Sequence, residues 1–281
     1  MLAVEVGARM DQRLDLMKIH PFRLLDAGEG SSVSRLRKRY PDCRIVVLDD
    51  VKAELAHTSR IAADAGWIAG LLARLIFGAR REPMPIVGEL HRLPVLSASV
   101  GLVWSNLALH HYAEPLPVFQ EMHRVLTGSG LLMFSTLGPD TLKELRQAFA
   151  KADPGRAHVH DFVDMHDLGD MLVASGFAAP VMDMETITLT YDDIMALAKD
   201  LQAMGTVNSL QSRRRGLSGR EMWSRLRAAC APLRMDGRLP ASFEIVYGHA
   251  WKPQPRPPAV AAPQVVKFHA TAEIKAGGHR K

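Results

Sequence analysis

At 281 residues the chain is long enough for one α/β domain with a full core. Hydrophobic residues make up 47% and charged residues 23%, as in an ordinary globular enzyme, and no apolar run is long enough to span a bilayer. The two cysteines, Cys43 and Cys230, match no disulfide or metal framework, and acidic residues stand where a signal peptide would be apolar, so a cytoplasmic location is expected.

The apolar spacing of EVGARMDQRLDLMKI predicts a helix that Pro21 ends. FRLLDAGEG reads as a strand entering a glycine turn, SSVSRLRKRY as a helix capped by Ser31 or Ser32, and RIVVLDD as a second strand ending in acid. GWIAGLLARLIFGARR, residues 66–81, is expected to be an amphipathic helix rather than a membrane anchor. MPIVGEL is a short strand, SVGLVWSNLALHH a longer one running into a loop, and PLPVFQEMHRVL a helix closed by TGSG. LLMFSTLG is a further strand, PDTLKELRQAFAKA a helix with Pro at its start, and DFVDMHDLGDMLVASGF a helix ending at Gly176. From about Tyr191 to about residue 240 the text is helical and then arginine-rich, before ASFEIVYGHAWKP returns to strand character. Residues 253–281 form a proline-rich basic tail expected to be disordered, which leaves 1–252 as the main domain. Repeated strand–helix pairs predict an α/β fold around a buried parallel sheet.

Gly28 and Gly30 stand at the strand-to-helix turn, where a backbone without Cβ lets a ligand approach and the helix N-terminus beyond favours negative charge. A tight packing turn would use the same residues. The next strand adds weight to the ligand reading, because Asp49 ends it 19 residues after Gly30, near the offset at which a carboxylate accepts ribose hydroxyls. Val33 occupies the place of a third glycine, so an adenosine without pyrophosphate fits better than a dinucleotide. The cofactor this suggests is S-adenosylmethionine.

Asp26, Gly28, Gly30 and Asp49 resemble the first motif and the second-strand acid of Rossmann-like class I methyltransferases. VWSNLALHH, FSTLGPDTLKELRQAF, SRRRGLSGR and DGRLPASFEIVYGHAWKP are more specific, and they resemble the malonyl-acyl carrier protein O-methyltransferases of early biotin synthesis. The resemblance runs from about residue 10 to Pro253. It implies a mostly parallel seven-stranded sheet flanked by helices, with a helical substrate or lid insertion at about 191–240. It also implies transfer of a methyl group from S-adenosylmethionine to the free carboxylate of a malonyl thioester on acyl carrier protein. Glu89 would stand where an acid contacts the adenine amine, and Asn106 where the fourth strand ends beside the cofactor.

A carboxylate is already ionised at neutral pH, so its methylation needs no general base, and neither a catalytic triad nor a metal is expected. Recognition of the free carboxylate falls to Arg213, Arg214 and Arg215, whose planar guanidinium groups match it. Residues 206–240 carry eight Arg against one Glu and one Asp, more than the whole net charge of +5. That surplus, at Arg220, Arg225 and Arg227, suits an acidic carrier protein or is simply a solvated helical face. Nucleic acid is disfavoured, since only Trp223 interleaves the basic residues. His110 and His111 are expected to point apart and to bind no metal, and His158, His160 and His166 to be caps or surface residues.

The sequence departs from the family pattern at Glu29, at Ser31–Ser32, at Glu89 and at Gly101. Family members also carry a helical segment with an aromatic residue ahead of the matched part. These departures leave two other readings open: a weak or inactive relative serving as a binding or assembly protein, and a methyltransferase for another small acid.

Overall fold

The computed structural model describes residues 2–28, 30–49, 82–203 and 219–254. Helix α1 (Leu2–Arg13) precedes β1 (Arg23–Asp26), α2 (Val33–Arg39) and β2 (Arg44–Asp49). Strands β3 (Met84–Val87) and β4 (Val100–Ser105) follow, then α3 (Pro115–Val125), β5 (Leu126–Leu137), α4 (Lys143–Ala152) and α5 (Met165–Ala174). The chain continues through β6 (Ala178–Tyr191), α6 (Ile194–Ala203), α7 (Arg220–Cys230) and β7 (Leu239–Trp251). The expected helix at 66–81, the arginines 213–215 and the proline-rich tail from residue 255 lie outside the described residues.

Seven strands form one sheet in the order β3-β2-β1-β4-β5-β7-β6. β1 to β5 pair in parallel, and β7 is antiparallel to both β5 and β6. Crossover helices cover both faces, so the central strands are apolar almost throughout. On one face Leu24, Trp104, Met133 and Ile245 pack against Val6 and Met10 of α1, Leu145 of α4 and Leu226 of α7. On the other, Leu25, Val103, Phe134 and Val246 meet Phe119 and Met122 of α3 and Leu168 of α5. Among the described residues no helix is long and apolar enough to cross a membrane.

Several elements depart from the sequence reading: TGSG does not close α3, which ends at Val125, but belongs to β5. β6 is a long edge strand that the chain-order reading does not contain; it is visible afterwards in the alternation of Ile187, Leu189 and Tyr191 with exposed threonines. The edge is tied to α1, where Arg13 pairs with Asp183 at 2.6 Å and Arg9 pairs with Glu185. Helix α4 starts at Lys143 rather than at Pro139, because residues 138–142 form a turn that ends with Leu142 in the left-handed region at φ +56°. Helix α2 starts at Val33, and Ser32 before it makes no side-chain capping bond. By contrast, α5 is capped by the Asp164 carboxylate, which accepts from the His166 amide at 2.8 Å, and Gly176 follows it at φ +90°.

Candidate active site

The parallel register sets the carboxyl ends of β1, β2 and β4 side by side. Asp26 stands level with Val47 and Trp104, and the backbone of Asp49 is level with Val87. Open α/β sheets take ligands at this edge.

Asp26 is buried at 1% exposure, and among the described residues its Oδ2 has no hydrogen-bond partner. Burial pushes its carboxyl up to about 7, partly opposed by the backbone N–H of Gly28. Gly28 has a packing reason of its own. A Cβ there would lie 2.9 Å from the carbonyl oxygen and 3.0 Å from the amide nitrogen of Asn106, so only glycine lets the turn rest on the end of β4. Gly30 adopts φ +68°, the left-handed conformation that glycine takes without strain.

Asn106 is fully enclosed and engaged at both ends. Its Nδ2 donates to the Ala3 carbonyl at 2.8 Å, and its Oδ1 accepts from the Ser135 hydroxyl at 2.9 Å. It therefore clamps α1 to the carboxyl ends of β4 and β5. Sequence reasoning missed both this clamp and Gly7, where a Cβ would lie 3.0 Å from Ser32 Oγ and 3.2 Å from Asn106 Nδ2. A glycine within a predicted helix was the available signal. Removing the clamp leaves buried groups unpaired, so Asn106→Ala is expected to cost about 2–3 kcal/mol and to speed amide exchange in α1 while α3 stays protected.

Two bulky residues hold left-handed backbone where β4 and β5 end: Leu107 at φ +48° and Leu142 at φ +56°. Each is pinned by its amide. Leu107 N donates to Ser135 Oγ at 3.0 Å, and Leu142 N donates to the Ser242 carbonyl at 2.6 Å. Such strain persists only where the surroundings fix it, and it tends to gather at functional edges. Nearby, the buried Glu244 carboxylate accepts from the Asp140 amide at 2.6 Å and holds the turn after β5.

Glu89 follows β3 and is largely exposed, 3.1 Å from His91 Nε2. His110 and His111 do not point apart: their rings lie 4.2 Å from each other, because the chain there is a 3-10 turn rather than a strand. His158 is not a surface residue either. It stacks on Phe149 at 3.8 Å and lies 3.0 Å from Asp153. Among the described residues no cluster of three or more potential ligands could hold a metal.

The Methyltransferase domain family matches residues 25–134, which contain Asp26, Gly28, Gly30, Asp49, Glu89 and Asn106. The malonyl-[acyl-carrier protein] O-methyltransferase of Laribacter hongkongensis is 51% identical over 255 residues, covering 90% of this chain and 83% of that protein. The chain belongs to the malonyl-[acyl-carrier protein] O-methyltransferase family. The family's Gallionella capsiferriformans member is 47% identical over 254 residues, covering 90% of this chain and 84% of its own length. Among solved structures, a putative methyltransferase of Bacillus halodurans superposes with a TM-score of 0.57 at 16% identity, over 89% of this chain and 100% of that one. The Bacillus subtilis YcgJ protein gives 0.57 at 12% identity, over 89% and 99%. These neighbours share the class I methyltransferase fold, and the family's specific sequence is carried on it.

Proposed function

We propose that the chain transfers a methyl group from S-adenosylmethionine to the free carboxylate of a malonyl thioester on acyl carrier protein, an early step of biotin synthesis. Its relatives carry that name at 44–51% identity over about 90% of the chain. The observation that carries the cofactor assignment is the buried Asp26, whose Oδ2 has no partner among the described residues, beside a turn that packs backbone to backbone.

When bound, S-adenosylmethionine supplies an electrophilic methyl group on a sulfonium centre. Asp26 would receive a cationic group at Oδ2, which favours its ionised form. Asp49 would accept the ribose hydroxyls, Gly28 and Gly30 would give the backbone room, and Glu89 would reach the adenine amine. Asn106 acts differently in this account: with both polar atoms engaged, it holds α1 across the site rather than contacting the cofactor directly. The remaining work is positioning, since the attacking carboxylate carries its charge at neutral pH and no proton need be removed. The guanidinium groups of Arg213, Arg214 and Arg215 are the proposed partners of that carboxylate.

The carrier protein would dock on α7. Arg220, Arg225 and Arg227 are exposed there, with Arg225 only loosely paired to Glu221 at 3.6 Å. Acidic carriers suit such a face, and rim charges act mainly on encounter rate. Arg220→Glu with Arg227→Glu is expected to raise KM for the malonyl carrier at least about tenfold at low salt, with affinity for S-adenosylhomocysteine unchanged. Steady-state kinetics at two ionic strengths and calorimetry check the two halves.

The reading as a whole is tested by following isotope-labelled methyl from S-adenosylmethionine. The expected result is base-labile label on malonyl-loaded carrier and none on acetyl-loaded carrier. Label on free malonate but not on the carrier would point to a small-acid methyltransferase. No transfer to any acid would leave a binding protein.

A further inference from the structure

The ring of His110 stands just past the carboxyl end of β4, and both of its nitrogens are buried with no hydrogen-bond partner among the described residues. A buried imidazole satisfied at neither end is costly, and one held in place by the fold calls for a reason. Its ring neighbours are His111 at 4.2 Å and the edge of Phe162 at 6.1 Å. Burial, with His111 and His160 adding to it, holds its pKa down at about 3. The ring is therefore neutral, with one N–H donor and one acceptor nitrogen.

Backbone geometry explains how the ring comes to this place. Left-handed Leu107 turns the chain as β4 ends, and Leu109 then drops into the apolar layer formed with α3. His110 stays beside Phe162, which packs on the opposite layer. The ring thus lies over the edge of the sheet, four residues past Asn106, where ligands are taken.

We infer that His110 is a substrate-binding residue whose imidazole N–H donates to an oxygen of the malonyl group and so orients it for methyl transfer. This rests on the proposed function. A neutral donor suits an acceptor oxygen that must be aimed but not deprotonated, which is what a carboxylate already ionised requires. Either the thioester carbonyl or a carboxylate oxygen offers that chemistry. The donating ring nitrogen would then find its partner in that substrate oxygen.

Ring-nitrogen resonances of His110 in 15N-histidine-labelled protein provide the test, with S-adenosylhomocysteine present to prevent turnover. Acetyl-loaded carrier shifting them identifies the thioester carbonyl, and malonyl-loaded carrier alone shifting them identifies the carboxylate; both support the inference. His110→Phe is expected to fold with an equal or higher Tm, keep its affinity for S-adenosylhomocysteine, and raise KM for malonyl carrier at least about tenfold with a smaller change in kcat. His110→Gln, which restores a donor, should recover most of the loss. Malonyl carrier that is methylated normally by His110→Phe, or that binds without moving the His110 resonances, overturns the inference and leaves the proposed function standing. A wild-type chain that neither binds nor methylates the carrier removes both.

Discussion

Replacing Gly28 with alanine is expected to cost about 3 kcal/mol of stability and most of the chain's cofactor affinity. The added Cβ would meet two backbone atoms of Asn106, at 2.9 and 3.0 Å, and neither can swing aside as a flexible side chain would. Asn106 is in turn fixed by its bonds to Ala3 and Ser135, so relief must come from separating β1 from β4 at the ligand edge. For a domain of this size the loss corresponds to a fall in Tm of roughly 6–12 °C, measurable by calorimetry. Gly169→Ala provides the contrast. Its Cβ would meet only Met182 Cγ at 3.8 Å within helix α5, and alanine there is expected to stabilise by about 0.5–1 kcal/mol.

Asp26→Asn is expected to move stability and binding in opposite directions. The folded carboxyl sits at about 7, above its ordinary value, so the native state holds the proton more tightly than the unfolded chain does. Stability of the ligand-free protein should therefore be fully present below about pH 4, decline as pH rises towards 7, and stay reduced above it. Asparagine does not ionise, so the variant lacks this decline and should be more stable at pH 8 by an amount on the order of a few kcal/mol. Its affinity for S-adenosylhomocysteine should nevertheless fall about a hundredfold or more, because the proposed cation at Oδ2 loses its counter-charge. Wild-type affinity should also weaken by about tenfold per unit as pH drops below about 7, while the variant's stays flat. Denaturant melts and calorimetric titrations across pH 5–8 separate these effects.

The ligand edge was legible where its residues are joined by short covalent spacing. Asp26, Gly28 and Gly30 belong to one turn, and Asp49 closes the very next strand, so their common edge follows from parallel pairing alone. The glycines hid their second reason, since the contact of Gly28 with Asn106 spans the sheet. Asn106 was found by its place at the end of β4, but its role was not: Ala3 and Ser135 reach it from opposite parts of the chain. β6 escaped because its inward apolar residues are spaced by threonines and acids, which read as polar text until the pairing with β7 shows them as one side of an edge strand. His110 and His111 were expected to point apart as neighbours on a strand or loop do, whereas the chain there is a 3-10 turn. The family itself was legible from long strings in the C-terminal half, where no single residue announces a chemistry.

The turn after β1, with Ser31 and Ser32 following Gly30, is expected to hold an adenosyl cofactor in concert with the acid that ends β2. Calorimetric titration of the chain with S-adenosylhomocysteine, alongside Asp49→Ala, tests it most directly. The expected result is one site of roughly micromolar affinity, about −8 kcal/mol, that the substitution abolishes. Absence of binding by the unsubstituted chain, or binding that Asp49→Ala leaves intact, would contradict it.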